Sequence, residues 1–218
     1  MNGMTLEVDI RPAGFADARV GAHLAHISMG RLADFLLGLD LKEPTRAREV
    51  LEGLFMRKNN RFSYQFACVA EISDQVAGGH VVGLLLSYPG EILMRLAFPM
   101  AGHLLSIYGL PRMFRFLQHA LPLAGIEEAK RDEYFIHIVA VLPEFQGRGV
   151  GTRLLSYAED MARAGGLNKC SLNVEIGNTR ARGLYERLGY RVAKTVRVRR
   201  LSQCTGCEGF HRMVKILA

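Results

Sequence analysis

Several features are scarce in this chain of 218 residues. Its four cysteines are too scattered for a disulfide framework, with Cys68 and Cys170 far from each other and from the Cys204/Cys207 pair. A reducing cytoplasm is therefore the expected setting. The N-terminal stretch carries acids and a proline and lacks the continuous apolar segment of a secretory signal, so export is not expected. Long apolar runs are missing too. The most suspicious, Leu96 to Pro111, has no acid, lysine or arginine. It contains Pro99, Gly102, His103 and Gly109, however, and falls short of the roughly 20 residues a bilayer span needs, so it reads as a buried or interfacial helix with no membrane partner. Acids are the minority charge, 21 against 28 lysines and arginines, for a formal net charge of +7 and a pI near 9.5. That balance favours an anionic ligand without choosing among phosphates, nucleic acid and acidic membrane. No internal repeat or low-complexity tract is present. A composition 49% hydrophobic and 22% charged excludes a disordered chain and suits one domain over 1–218 with a substantial core.

What is present reads as alternating strands and helices. Thr5 to Ile10 alternates apolar and polar residues as a half-buried strand does, and Arg11-Pro12-Ala13-Gly14 breaks it before Asp17 opens a helical stretch. Helices are expected over Ala18 to Leu39 and Thr45 to Arg57, the second with Thr45 as N-cap. Gln65 to Ile72 and His80 to Tyr88 read as an antiparallel hairpin. Residues 89–131 then form a mostly helical insert, broken at Pro99, Pro111 and Pro122, in which Met113, Phe114, Phe116 and Leu117 are expected on one apolar face. Its expected role is to complete the core or a homodimer surface; a lid over a substrate is the alternative. From Tyr134 to Leu142 a strand precedes a glycine loop and a helix from Val150 to about Ala164. That helix places Val150, Leu154, Leu155, Ala158, Met161 and Ala162 inside, turns Arg153, Glu159, Asp160 and Arg163 outward, and is stopped by Gly165-Gly166. A strand from Lys169 to Glu175 follows, then a helix capped by Asn178 and ended at Gly189, and strands over Tyr190 to Leu201 and Gly209 to Leu217.

The loop Gln146-Gly147-Arg148-Gly149-Val150-Gly151 lies between a buried strand and a helix. Unpaired backbone N–H groups and the positive end of the helix dipole attract phosphate oxygens there. Two common readings fail on missing residues. An ATP-binding loop ends Gly-Lys-Ser/Thr, whereas Gly151 is followed by Thr152 and Arg153. A dinucleotide fingerprint places a glycine where this chain has Thr152 or Leu154.

Val139-Ala140-Val141-Leu142-Pro143-Glu144-Phe145 followed by Gln146 to Gly151 resembles the acetyl-CoA signature of the GNAT superfamily of N-acetyltransferases, whose core pattern is Gln/Arg-x-x-Gly-x-Gly/Ala. Asn178 to Tyr190 (Asn-x-x-Ala-x-x-Leu-Tyr-Glu-x-Leu-Gly-Tyr) and the opening Ile10-Arg11-Pro12-Ala13 with Asp17 resemble the same superfamily. The resemblance is strong over Phe135 to Val192, weak before the insert and absent within it. It implies an α/β (α+β) fold with a mixed, mostly antiparallel sheet of about seven strands flanked by helices, the insert lying between the third and fourth strands. It also implies acetyl transfer from acetyl-CoA to a primary amine of a small molecule, peptide or protein, by direct attack in a ternary complex without a metal. Under the resemblance Val139, Ala140 and Val141 pair with the pantetheine arm of the cofactor. Gln146, Gly147, Arg148, Gly149, Val150, Gly151 and Thr152 cradle its pyrophosphate, Asn178 contacts it, and Tyr185 protonates the leaving thiolate.

Such a reaction needs a base, because an alkylammonium of pKa about 10.4 must lose a proton before it attacks. His137 is the ionisable residue within the strand from Tyr134 to Leu142, and an ordinary histidine suits that task. Family members that use a glutamate on the next strand have it where this chain has Asn173, with Glu175 two residues further on the same side, and a water chain would also serve. The spacing of Tyr185 also permits a core aromatic, though the motif match favours the acid, and His137 fits equally as a buried histidine bonded to a carbonyl. Cys204-Thr205-Gly206-Cys207, with only His211 nearby, is short of a zinc site and reads as a turn. Lys194, Arg197, Arg199 and Arg200 alternate on a strand without interleaved aromatics, a solvated face more than a nucleic-acid surface. An acyl-CoA-binding module without turnover is the competing reading.

Overall fold

In a computed structural model of the chain, residues 8–41, 43–74 and 78–217 are described. Seven strands form one sheet: β1 (Val8–Pro12), β2 (Ala67–Asp74), β3 (Gly78–Pro89), β4 (Tyr134–Val141), β5 (Lys169–Glu175), β6 (Arg191–Arg197) and β7 (Gly209–Ile216). Their order is β1-β2-β3-β4-β5-β7-β6. Every neighbouring pair is antiparallel except the parallel pair β4–β5. The helices are α1 (Ala18–Met29), α2 (Arg31–Ala33), α3 (Pro44–Phe55), α4 (Leu93–Ala120), α5 (Val150–Ala164), α6 (Thr179–Arg187) and α7 (Arg199–Thr205). This is the mixed, helix-flanked sheet expected, with α4 between the third and fourth strands.

The two faces of the sheet carry separate cores. Leu84 and Leu86 of β3 and Ile138 and Ala140 of β4 pack with α1 and α3 on one face. Leu85, Tyr134 and Ile136 pack with α5 on the other. α1 and α3 approach so closely that a Cβ on Gly21 would lie 2.6 Å from the Phe55 ring, which is why a helix interior tolerates glycine there. On α5, Leu154 and Leu155 are completely buried, each contributing roughly 2 kcal/mol of hydrophobic stabilisation.

Several boundaries differ from the sequence expectation for identifiable reasons. β1 runs on through Arg11 to Pro12, opposite Cys68. A proline at the end of an edge strand removes no bond that the sheet needs. The Thr5 to Glu7 part of that expected strand lies outside the described residues. Thr45 does not cap α3; Glu43 does, with Pro44 in the first turn, where its missing N–H is harmless. The helix expected over Ala18 to Leu39 breaks at Gly30 (φ 51), and α2 continues as a π-helical turn, Asp34–Gly38. His26 Nε2 lies 2.7 Å from Asp34 Oδ1 and ties the two pieces together. Glu159 does not face outward: it is buried, accepting from Tyr190 Oη at 3.2 Å and Lys215 Nζ at 2.6 Å. Met161 is 42% exposed where it was expected inside. The strand expected over Tyr190 to Leu201 stops at Arg197, and Arg199 and Arg200 open α7, so the four basic residues do not alternate on one strand.

α4 is bent at Gly109 (φ 68, ψ 172) and continues through Pro99. Leu96, Leu104 and Tyr108 are buried against the domain, while Phe98, Leu110, Phe114 and Leu121 are exposed. Phe114 and Leu117 therefore do not share an inner face with Met113 and Phe116, which pack against the core. By length and composition alone, the stretch Gly90–Leu123 would suffice to cross a membrane. Leu104 and Tyr108 nevertheless hold one side of it on the protein, with the Tyr108 hydroxyl donating to the Leu37 carbonyl.

Candidate active site

The site begins at a defect in the sheet. In the β3–β4 ladder Leu86 pairs with Ile138 and Ser87 with Ile136, so His137 is an extra residue, a β-bulge. That extra residue puts Ile136 and Ile138 on opposite faces of the sheet. The parallel β4–β5 pairing ends one step earlier, at Ile136 opposite Leu172, and the two strands part beyond it. Leu142 N donates to Val82 O at 2.9 Å, which turns the backbone groups of Val139 and Val141 toward the gap. Their carbonyls find only side chains there, Ser28 Oγ at 3.5 Å and Gln146 Nε2 at 3.0 Å. Ala140 faces β3, so of the three positions expected to pair with a cofactor arm, two turn their backbone groups away from the sheet toward the gap.

A cavity of about 1180 Å³ opens in this gap. It is bounded by Val139 to Val141, by Asn173 and Glu175 of β5, by the glycine loop, and by Asn178 and Tyr185 of α6. At the loop, Gly147 and Gly149 have φ of 78° and 83°, and a Cβ on either would meet nothing within 4 Å. Glycine is needed there for conformation, not space. Arg153 N makes the first helical bond, to Gly149 O, which leaves the N–H groups of Val150, Gly151 and Thr152 without helical acceptors at the positive end of a 15-residue helix. Such a nest binds anions, phosphate oxygens above all. Gln146 is held from both sides, donating to Val141 O and accepting from Arg180 at 2.9 Å.

Two of the expected cofactor residues act differently from the rest. Arg148 is exposed with its guanidinium 5.5 Å from the Phe145 ring centre, and it does not border the cavity. The Val150 side chain is buried in the core below α5, so only its N–H is available. Asn178 caps α6, its Oδ1 accepting from Ala181 N at 3.0 Å.

Burial separates the ionisable candidates. The Tyr185 hydroxyl is pushed up to about 12 by desolvation, so it is protonated throughout the physiological range and can only donate. His137 is enclosed by the rings of Phe62, Tyr88 and Phe135, with centroids 5.2 to 5.9 Å away. Desolvation, reinforced by the Arg61 charge, lowers its pKa to about 3. So low a pKa makes His137 a weak base. Glu175, on the same cavity wall, moves the other way: burial raises its pKa above the usual glutamate value, against the opposing hydrogen bond from Cys207. A carboxylate raised by burial is the better proton acceptor of the two. Among the described residues no cluster of His, Cys, Asp and Glu could hold a metal.

The sequence pattern described as the acetyltransferase (GNAT) family matches residues 40–190. The chain belongs to the GNAT acetyltransferase family. A 55-residue stretch is 46% identical to a mycothiol acetyltransferase of Beutenbergia cavernae, covering 25% of this chain and 18% of that protein. An 86-residue stretch is 35% identical to an uncharacterised N-acetyltransferase of Methanocaldococcus jannaschii, covering 39% and 33%. The matched stretches thus span no more than a third of these relatives. In fold, the chain is similar to an N-acetyltransferase from Staphylococcus aureus Mu50, with a TM-score of 0.67, 24% identity and coverage of 94% and 99%.

On this GNAT scaffold, sequence reasoning missed the side of the cavity remote from the glycine loop. Leu32 and Leu36 reach it from α2 and the π-helical turn, Phe62 and Arg61 from the loop before β2, and Met100, Leu104, Met113 and Phe116 from α4. The insert expected to serve packing is therefore also a wall of the site. No local motif marks these positions, because they come from separate segments. Arg180, which donates to Gln146 of the glycine loop at 2.9 Å, and Arg187, further along α6 and also bordering the cavity, were missed as well.

Proposed function

We propose that the chain transfers the acetyl group of acetyl-CoA to a primary amine by direct attack. The supporting observation is that strand backbone turned away from the sheet, a helix N-terminus and a partly buried tyrosine all border one cavity at the parting of β4 and β5. The N–H groups of Val150, Gly151 and Thr152 suit the pyrophosphate, with Arg180, bonded to Gln146 of the loop, adding positive charge. The backbone groups of Val139 and Val141 suit the amides of the pantetheine arm. When bound, acetyl-CoA supplies a thioester carbonyl that an amine can attack.

The chain's own groups then handle the protons. Glu175, directly or through a water, takes the proton of the incoming ammonium, so a neutral nitrogen makes the new N–C bond. As the C–S bond breaks, Tyr185 donates its hydroxyl proton to the departing sulfur, the tyrosinate takes the second proton from the acylated nitrogen to leave the neutral amide, and Glu175 releases its proton to solvent. His137, neutral at working pH, shapes the bulge that opens the strands and takes no proton. Equal release of free CoA and acetylated amine from purified protein is the expected result. Tight CoA binding with neither product would instead favour a binding module that has lost turnover.

A further inference from the structure

The half of the cavity that faces the acceptor has a distinct chemistry. Its walls are Leu32 and Leu36 on one side, Met113 and Phe116 of α4 on the other, with Phe62 and Leu104 between. Among the described residues, the acids that border the whole cavity are Glu128 and Glu175. Glu128 is already paired, 2.6 Å from Arg61, and Glu175 is assigned to the reacting amine. The Arg61 charge is thus balanced by Glu128. Arg61 Nε and His137 Nε2 there are buried without a hydrogen-bond partner among the described residues. No unpaired carboxylate among the described residues borders this half to compensate a second cation, and burying an uncompensated ammonium is strongly unfavourable. Burying hydrocarbon against these walls is favourable.

Resting on the acetyl-transfer reading above, we infer that the acceptor is a monoamine with an apolar alkyl or arylalkyl body, seated between α2 and the α4 insert. Polyamines, aminoglycoside-type amines and lysine are excluded as preferred acceptors by the same arrangement. α4 is then the specificity element: it contributes apolar wall where a polycation acceptor would need carboxylates.

The test is thiol release from acetyl-CoA with butylamine, hexylamine, octylamine, 2-phenylethylamine, lysine and spermidine. The expected result is a rise in kcat/KM of about fourfold per added methylene from butylamine to octylamine, with lysine and spermidine at least tenfold below hexylamine. Met113→Trp, which adds bulk to the wall, should bring the octylamine-to-butylamine ratio toward one. Phe114→Trp, on the exposed side of the same helix, should leave that ratio as in the wild type. Turnover that is flat across the alkyl series, or best with spermidine or lysine, overturns the inference and leaves acetyl transfer standing. A ratio unchanged in Met113→Trp overturns the assignment of the α4 wall. No thiol release with any amine, despite CoA binding, overturns the transfer reading itself and the inference with it.

Discussion

Tyr185→Phe removes one oxygen and nothing else. The ring lies edge-on to Tyr190 with centroids 6.1 Å apart, and the variant keeps that contact. Among the described residues the hydroxyl has no hydrogen-bond partner, and desolvation alone raises its pKa. The folded state should therefore lose little, less than about 1 kcal/mol, or roughly 2–4 °C in Tm for a chain of this size. Catalysis should lose much more. A positioned general acid contributes typically about 10²–10⁴-fold. A thiolate, with a thiol pKa near 8.5, is a tolerable leaving group, which places the expected loss in kcat at about 10²–10³-fold, or roughly 3–4 kcal/mol in the barrier. KM for acetyl-CoA should hold within about twofold, because the hydroxyl acts on the departing sulfur more than on the bound ground state. Stopped-flow or steady-state thiol release, paired with a thermal melt, separates the two effects. A kcat within about threefold of wild type, in a variant that melts normally, would refute the role assigned to Tyr185.

Other expectations are equally specific. Glu175 works ionised and its pKa is raised, so kcat/KM should fall as pH drops through that raised value, above the usual glutamate range; Glu175→Gln should lower kcat/KM by about 10²-fold and abolish this acid limb. His137, with a pKa near 3, contributes no ionisation between pH 5 and pH 9, so a profile of His137→Asn that kept the wild-type limb would agree, and one that lost it would not. Gly149→Ala forces a side chain onto a residue with φ 83°; a stability loss of about 1–2 kcal/mol with weaker CoA binding is expected by denaturant melt and calorimetry. Glu159→Ala leaves the buried Tyr190 hydroxyl and the partly buried Lys215 ammonium without their acceptor, and a loss of about 1–3 kcal/mol is expected from urea unfolding.

The parts of this fold legible in sequence are those set by local pattern. α5 could be placed from Val150 to Ala164 because an apolar stripe runs between a glycine loop and Gly165-Gly166, and β5 because its apolar run is bounded on both sides. α7 was not legible, since Arg199-Arg200-Leu201 continues a strand-like alternation and only tertiary packing of Leu201 into the core decides for helix. Glu159 looked like a surface charge until Tyr190 and Lys215 came round from distant segments to meet it. The same holds in the site. The expected cofactor positions fall in two local patterns, Val139 to Thr152 and Asn178 to Tyr190, each legible along the chain. The His137 bulge depends on the register of β3, and the acceptor half is assembled from α2, the loop before β2 and α4, which no spacing along the chain connects. His137 is an example: its place in an apolar strand is visible in the sequence, but the enclosure by Phe62, Tyr88 and Phe135 that lowers its pKa is a fact of tertiary structure.

The central claim is that the cavity at the parting of β4 and β5 holds acetyl-CoA and passes its acetyl group to an amine. Mass spectrometry of the purified chain with acetyl-CoA and octylamine tests it directly. N-acetyl-octylamine and free CoA in equal amounts, both lowered at least a hundredfold in Tyr185→Phe, is the result predicted. Bound CoA with no acetylated amine, or acetylation unaffected by Tyr185→Phe, would contradict it.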